Sequence, residues 1–204
     1  MYLFQGVSQL QRHLAAERVN NRTVGFVPTM GALHEGHLAL VRQSLAENQV
    51  TVCSIFVNPT QFNDSDDLKK YPRTPGKDLE KLAMVGCDVA FLPNVAEVYP
   101  PGLDTALPLD LAGLDRSLEG AHRPGHFAGV VQVVKRFLDL VEPHRLYLGQ
   151  KDFQQQLIIR HMVQALNLPV KVLTVPTVRE PDGLAMSSRN TLLDPAIRPA
   201  APRL

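Results

Sequence analysis

The stretch Pro28-Thr29-Met30-Gly31-Ala32-Leu33-His34-Glu35-Gly36-His37 limits what this 204-residue chain can fold into more than any other. The apolar run Val24-Gly25-Phe26-Val27 before it predicts a buried strand over 24–28. Leu38-Ala39-Leu40-Val41 after it keeps helical spacing to about Glu47. In a parallel sheet this places small residues and imidazoles at the carboxyl end of a strand, against the start of a helix. Such a helix start presents unsatisfied N–H groups and about +0.5 of an elementary charge, which favours anions. Glycine there lets a ligand come close to the backbone. The stretch predicts a phosphate site.

The same residues exclude several alternatives. Gly31 and Gly36 have P-loop spacing, but His37 stands where lysine belongs and Leu38 where serine or threonine belongs. No GxGxxG dinucleotide fingerprint is present. His34 and His37 are three residues apart, so they do not form HExxH, and the sequence shows no obvious further zinc ligand. No metal site is expected from protein side chains.

Later segments repeat the alternation. Val50-Thr51-Val52-Cys53-Ser54-Ile55-Phe56-Val57 reads as a strand covered on both faces. Further strands are expected at 88–92, 145–149 and 170–175, making five. Helices are expected over 9–18 with Ser8 as cap, 77–85 with Gly86 as stop, 128–141 and 153–166. Residues 64–73 read as charged surface, 94–115 as a Pro/Gly-rich excursion, and 116–127 as a polar loop. Strands alternating with helices predict an α/β fold with a doubly wound parallel sheet. Ligands in such sheets lie outside the carboxyl ends of the strands. The polar loops at 28–37, 58–63 and 149–155 all fall at such ends and are expected to converge.

A net charge of +1, from 21 basic and 20 acidic residues, gives no electrostatic case for nucleic acid or an acidic membrane. Cys53 and Cys87 are isolated and predict buried thiols in a reducing compartment. The N-terminus has no signal-like core, and no run approaches a membrane span. A cytoplasmic location is the expectation.

The candidate site has no obvious nucleophile, since no GxSxG elbow occurs and neither cysteine lies in a polar loop. His34, His37, Lys151 and Arg189 supply positive or switchable charge, and Ser187 and Ser188 supply hydroxyls. Gln61 and Gln155 are neutral amides suited to a hydroxyl or carboxylate. This set suits phosphoryl or nucleotidyl transfer by positioning and charge stabilisation, without a covalent enzyme intermediate.

The 28–37 stretch, Phe56-Val57-Asn58-Pro59-Thr60-Gln61-Phe62, Arg123-Pro124-Gly125-His126-Phe127, Gly149-Gln150-Lys151-Asp152-Phe153-Gln154-Gln155 and Met186-Ser187-Ser188-Arg189-Asn190 together resemble the pantothenate synthetase (pantoate–β-alanine ligase) family. The match runs in order over essentially the whole chain. The family belongs to the nucleotidyltransferase superfamily, so the resemblance implies a Rossmann-like domain over 1–175. It also implies that 176–204 begin a small C-terminal lid domain, with family members continuing beyond residue 204.

The resemblance implies that (R)-pantoate and β-alanine are condensed to pantothenate through pantoyl adenylate, with ATP and Mg2+ as nucleotide and accompanying ion. Met30, Gly31, Ala32, Leu33, His34, Glu35, Gly36 and His37 would line the ATP site. Gly149, Gln150, Lys151, Asp152, Val178, Met186, Ser187, Ser188 and Arg189 would complete it. His37, His34 and Lys151 would be catalytic, with His37 either an acid or a phosphate stabiliser. Gln61 and Gln155 would hold pantoate, and Gln61 would also lie near β-alanine. A homodimer is implied. Gln150 departs from the acidic residue expected there.

Two other readings stay open from the residues alone. A dinucleotide-forming nucleotidyltransferase would want more basic residues for a second phosphate. A nucleotide-binding module without turnover is the other.

Overall fold

Six strands, one more than the sequence predicts, run parallel in a single sheet. The computed structural model describes residues 1–203. The strands are β1 (Tyr2–Phe4), β2 (Val24–Thr29), β3 (Val50–Ile55), β4 (Val89–Phe91), β5 (Arg145–Gly149) and β6 (Lys171–Val175). Their order is β1-β4-β3-β2-β5-β6. The extra strand is β1, an edge of three residues in which Tyr2 and Leu3 are exposed. A segment this short carries no periodicity to detect.

The helices are α1 (Val7–Val19), α2 (Glu35–Glu47), α3 (Ser65–Lys70), α4 (Pro75–Val85), α5 (Val95–Val98), α6 (Leu118–His122), α7 (His126–Val141) and α8 (Phe153–Ala165). Alternation along the strands splits the core in two. Val24, Phe26, Val52, Phe91 and Leu146 pack with α1, α7 and α8 on one face. Val27, Cys53, Ala90 and Tyr147 pack with α2 and α4 on the other. That is the doubly wound arrangement, produced by right-handed crossovers that change face when strand order reverses.

The centre of the first face is Phe137 of α7, whose ring meets Phe26, Phe56 and Phe91 edge-on at 5.8, 5.7 and 6.1 Å. Truncating such a buried aromatic costs about 3–5 kcal/mol. α7 also crosses the turn after β3 so closely that a Cβ at Gly129 would lie 2.4 Å from the Thr60 carbonyl oxygen.

Several boundaries differ from the sequence expectation. Gly6, not Ser8, caps α1, and Ser8 lies inside the helix. β3 stops at Ile55, and a 3-10 turn over Pro59–Gln61 follows. The 64–73 segment holds α3, the 94–115 excursion holds α5, and the 116–127 loop holds α6 and the first two residues of α7. Both cysteines are buried and free. No helix is long and apolar enough to cross a membrane among the described residues.

The reversal of strand order falls between β2 and β5 and creates the crevice. Their ladder covers only Gly25↔Arg145 and Phe26↔Leu146. The carbonyls of Thr23 and Thr29 accept from Val50 and from Phe56 just past β3, and that of Val24 from His144, so odd positions of β2 face β3 and even positions face β5. Pro28 therefore lacks its N–H on the side where β5 has parted from β2, and the strand loses no ladder bond there.

Candidate active site

A cavity opens over the carboxyl ends of β2 and β5. It is lined by residues from all three loops expected to converge and by the segment after β6. Met30, Gly36, His34 and His37 line it from the β2 loop; Gly149, Lys151, Asp152 and Gln155 line it from the β5 side. Gln61 lies in its wall, and Val178, Met186, Ser187, Ser188 and Arg189 close it from the chain end.

The β2 loop is held from behind. Gly31 and Ala32 both have positive φ, 82° and 49°, which turns successive N–H groups inward. A pair of such residues forms a concave N–H cradle for an anion. Here the anion is internal. The fully buried Asp78 of α4 accepts from Ala32 N–H at 2.9 Å and Leu33 N–H at 2.8 Å, and Thr74 donates to it at 3.2 Å. Lys81, one turn further along α4, donates to the Leu33 carbonyl at 2.5 Å. The Ala32 and Leu33 amides are thus committed to the protein. The imidazoles of His34 and His37 are the polar groups of this loop that line the cavity.

Those imidazoles are locked by the helix start itself. His34 is the N-cap, and its Nδ1 accepts from Gly36 N–H at 3.1 Å; the His34 N–H donates to His37 Nδ1 at 3.2 Å. This is a capping box built from two histidines. With Nδ1 accepting in each ring, the neutral imidazoles carry their protons on Nε2. The ring centroids are 4.0 Å apart. Gly36 must be glycine, because a Cβ would approach the His34 ring to 2.8 Å.

Desolvation pushes His37 down to about 3, with His34, Lys151 and Lys81 adding to the effect. His34 is lowered in turn, first by burial and then by Lys151 and Lys81. Both rings are therefore neutral N–H donors at pH 7.

The opposite wall differs in chemistry. Gln61 is buried, donates its amide to Met30 Sδ at 2.9 Å and accepts from Asn58 at 3.3 Å. His126 donates from Nδ1 to the Gln61 carbonyl at 2.7 Å. Gln155 also lines the cavity, and its amide makes no hydrogen bond among the described residues. Its neighbour Gln154 is fully engaged, donating to Leu114 and Ser117 carbonyls at 2.7 Å. Val130, Val133, Val134 and Phe137 of α7 give the cavity an apolar floor beside Gln61 and Gln155.

Lys151 pairs with Asp152 at 2.9 Å in a solvent-accessible contact. Such a pair is worth about 0–1 kcal/mol. Val178 accepts from Met186 N–H at 3.0 Å, so a bridge around Arg179↔Ala185 folds the 186–189 strap back over the cavity. Ser188 then donates to the Ala32 carbonyl at 3.0 Å, and Arg189 reaches Asp67 at 3.0 Å.

Not every expected site residue faces the cavity. Leu33 is buried in the α2-side core, Glu35 pairs with Arg42 at 2.9 Å, and Gln150 is exposed with its N–H donated to Val175. Gly31 and Ala32 shape the loop through their backbone. The sequence reading missed Asp78, Lys81, Asp67 and Tyr71. One signal for Asp78 was available: it lies one turn before Leu82, on the apolar face of its helix.

Among the described residues no group of three His, Cys, Asp or Glu side chains could hold a metal ion. Asp152 is the acidic side chain lining the cavity.

N–H and cationic donors on one wall and neutral amides beside an apolar floor on the other define an α/β nucleotide-handling protein without a P-loop. Comparison with known proteins narrows the class: the model of the pantoate-beta-alanine ligase family matches residues 2–204, and the chain belongs to that family. It is 50% identical to the pantothenate synthetase of Porphyromonas gingivalis over 204 residues, covering 100% of this chain and 72% of the relative. The crystal structure of pantothenate synthetase from Thermus thermophilus superposes with a TM-score of 0.93 at 48% identity, covering 99% of this chain and 71% of that one. The Francisella tularensis ligase, solved in complex with beta-gamma ATP and beta-alanine, gives 0.93 at 39% identity, covering 100% and 77%.

Proposed function

We propose that this cavity condenses (R)-pantoate with β-alanine at the expense of ATP, releasing AMP and pyrophosphate. A pantoate carboxylate oxygen attacks the ATP α-phosphorus, and the bond to the bridging oxygen breaks to release pyrophosphate. The β-alanine amine then attacks the acyl carbon of pantoyl adenylate. The C–O bond to AMP breaks, the amine loses a proton to solvent, and pantothenate leaves.

The observation that carries this reading is the contrast between the two walls. Gln61 and Gln155 lie beside Val130, Val133, Val134 and Phe137. Such a surface fits a branched aliphatic acid bearing hydroxyls, with the methyl groups on the valines and the hydroxyls on the amides. An arginine there would hold the carboxylate and blunt its nucleophilicity; a neutral amide does not.

On the other wall, His34 and His37 donate from Nε2 to phosphate oxygens as charge moves onto the leaving group. Neutral rings act as preorganised donors rather than as acids in the free protein. Lys151 leaves Asp152 for the triphosphate, while Ser187, Ser188 and Arg189 close over it. Gly149 and Val178 flank the nucleotide through backbone groups. Mg2+ would ride on the phosphates with Asp152 in reach, neutralising their charge.

In this division of labour, 1–175 form the ATP and pantoate domain and 176–204 a covering segment. The setting we infer is a cytoplasmic homodimer without nucleic-acid or membrane partners. Buried free Cys53 and Cys87 suit a reducing compartment.

Product analysis tests the reaction. The chain with ATP, Mg2+, pantoate and β-alanine is expected to form AMP, pyrophosphate and pantothenate in equal amounts. ADP and phosphate in their place would overturn the reading.

A further inference from the structure

Asp67 lies on α3, in the segment that the sequence marks only as charged surface, yet it organises the cavity wall. Its carboxylate accepts from Arg189 Nε at 3.4 Å and from Nη2 at 3.3 and 3.0 Å. The Arg189 guanidinium stands over the Tyr71 ring, 5.1 Å from its centroid, and Tyr71 is buried just past the end of α3. Arg189 Nη1 makes no hydrogen bond among the described residues. Asp67 and Tyr71 therefore hold one edge and one face of the guanidinium and leave its remaining donors to the cavity that Arg189 lines.

We propose that Asp67 is a positioning residue for the nucleotide step: it fixes the Arg189 fork so that Nη1 meets the triphosphate as the 186–189 strap closes. This rests on the reading of the cavity as an ATP site. The physical basis is the cost of fixing a long side chain. A free arginine loses much of its rotamer freedom when it grips a phosphate, whereas one already held by a carboxylate and an aromatic face has lost it beforehand.

Asp67 also takes Arg123 at 3.8 Å, and Arg123 contacts His126 Nε2 at 3.2 Å. Through His126 this chain of contacts reaches the Gln61 carbonyl, on the wall read as the acid site. Arg123 has a stronger anchor of its own, Glu119 at 2.6 Å. Loss of Asp67 therefore loosens the Arg189 end and leaves the Gln61 end in place.

The test is a double-mutant cycle of Asp67→Asn and Arg189→Gln, with Asp67→Glu as the conservative variant. ATP binding is read by calorimetry, KM values for ATP and pantoate by pyrophosphate release, and Tm by thermal melting. Asp67→Asn is expected to weaken ATP about tenfold in Kd and KM, with the pantoate KM changed less than about twofold. It should add nothing in the Arg189→Gln background, and Asp67→Glu should recover most of the loss.

Unchanged or tighter ATP binding would overturn the proposal, the latter making Asp67 a competitor for Arg189. So would an effect that persists without Arg189, or an equal rise in both KM values with a lowered Tm. Absence of pantoate-dependent pyrophosphate release in the unmodified protein would refute the cavity's assigned reaction instead, while the ATP calorimetry would still report on Asp67.

Discussion

The two arms that grip one end of the cavity are built in opposite ways. The β2 loop is saturated from within. Asp78 fills its N–H cradle, Lys81 takes the Leu33 carbonyl, and each histidine is fixed by a backbone N–H. The 186–189 strap is tied at its surface instead: the Met186 N–H to the Val178 carbonyl, one hydroxyl contact from Ser188, and Arg189 against the Tyr71 ring and Asp67, with the Arg189 and Asp67 side chains partly exposed. The first arm is finished before any ligand arrives. The second is poised to complete its contacts with one. Charge stabilisation needs donors that do not reorganise during reaction, whereas entry and exit need a part that does.

His37→Ala tests the rigid arm most severely. Removing one preorganised donor is expected to slow adenylate formation about 10²–10³-fold, roughly 2.7–4 kcal/mol. Rapid-quench single turnovers measure it, and a near-normal rate would make the imidazole incidental.

Next in size is the contrast between the anchors. Asp78→Ala strands two backbone N–H groups and is expected to cost about 2–4 kcal/mol of stability. Ser188→Ala, its counterpart on the strap, should cost about 1 kcal/mol or less. Urea unfolding of both variants decides; equal losses would mean the arms do not differ as described.

The rigid arm also carries a pH dependence. His37 is held at about 3 in the folded chain against an ordinary 6.5, so the unfolded chain takes up the proton first. Stability from keeping this ring neutral is fully present above pH 6.5 and is lost as pH falls toward 3. Melting at pH 7 and pH 4.5 should show a larger drop for the unmodified protein than for His37→Phe. Identical drops would contradict the burial argument.

How much of this the sequence disclosed follows from what each residue looks like out of context. The β2–α2 turn, the loops meeting above the sheet and the doubly wound architecture were readable, because apolar runs and glycine–histidine spacing are local. Asp67 was not, since a carboxylate amid lysines looks the same whether it faces water or another side chain, and Asp78 showed only in its place on the apolar face of α4. Gln154 and Gln155 are indistinguishable by type and position. The family resemblance points to Gln155, and packing gives the reason: Gln154 is tied to Leu114 and Ser117 while Gln155 faces the cavity. β1 was too short to register, and α6 lay hidden in a stretch whose Gly, Pro and charged residues read as loop.

The most direct test of the account is where the oxygen goes. Pantoate labelled with 18O in its carboxylate is turned over with ATP, Mg2+ and β-alanine, and the products are weighed by mass spectrometry. Attack of the carboxylate on the α-phosphorus, followed by acyl C–O cleavage, predicts one labelled oxygen in AMP and none in pyrophosphate. Label in a released phosphate, or AMP without label, would contradict it.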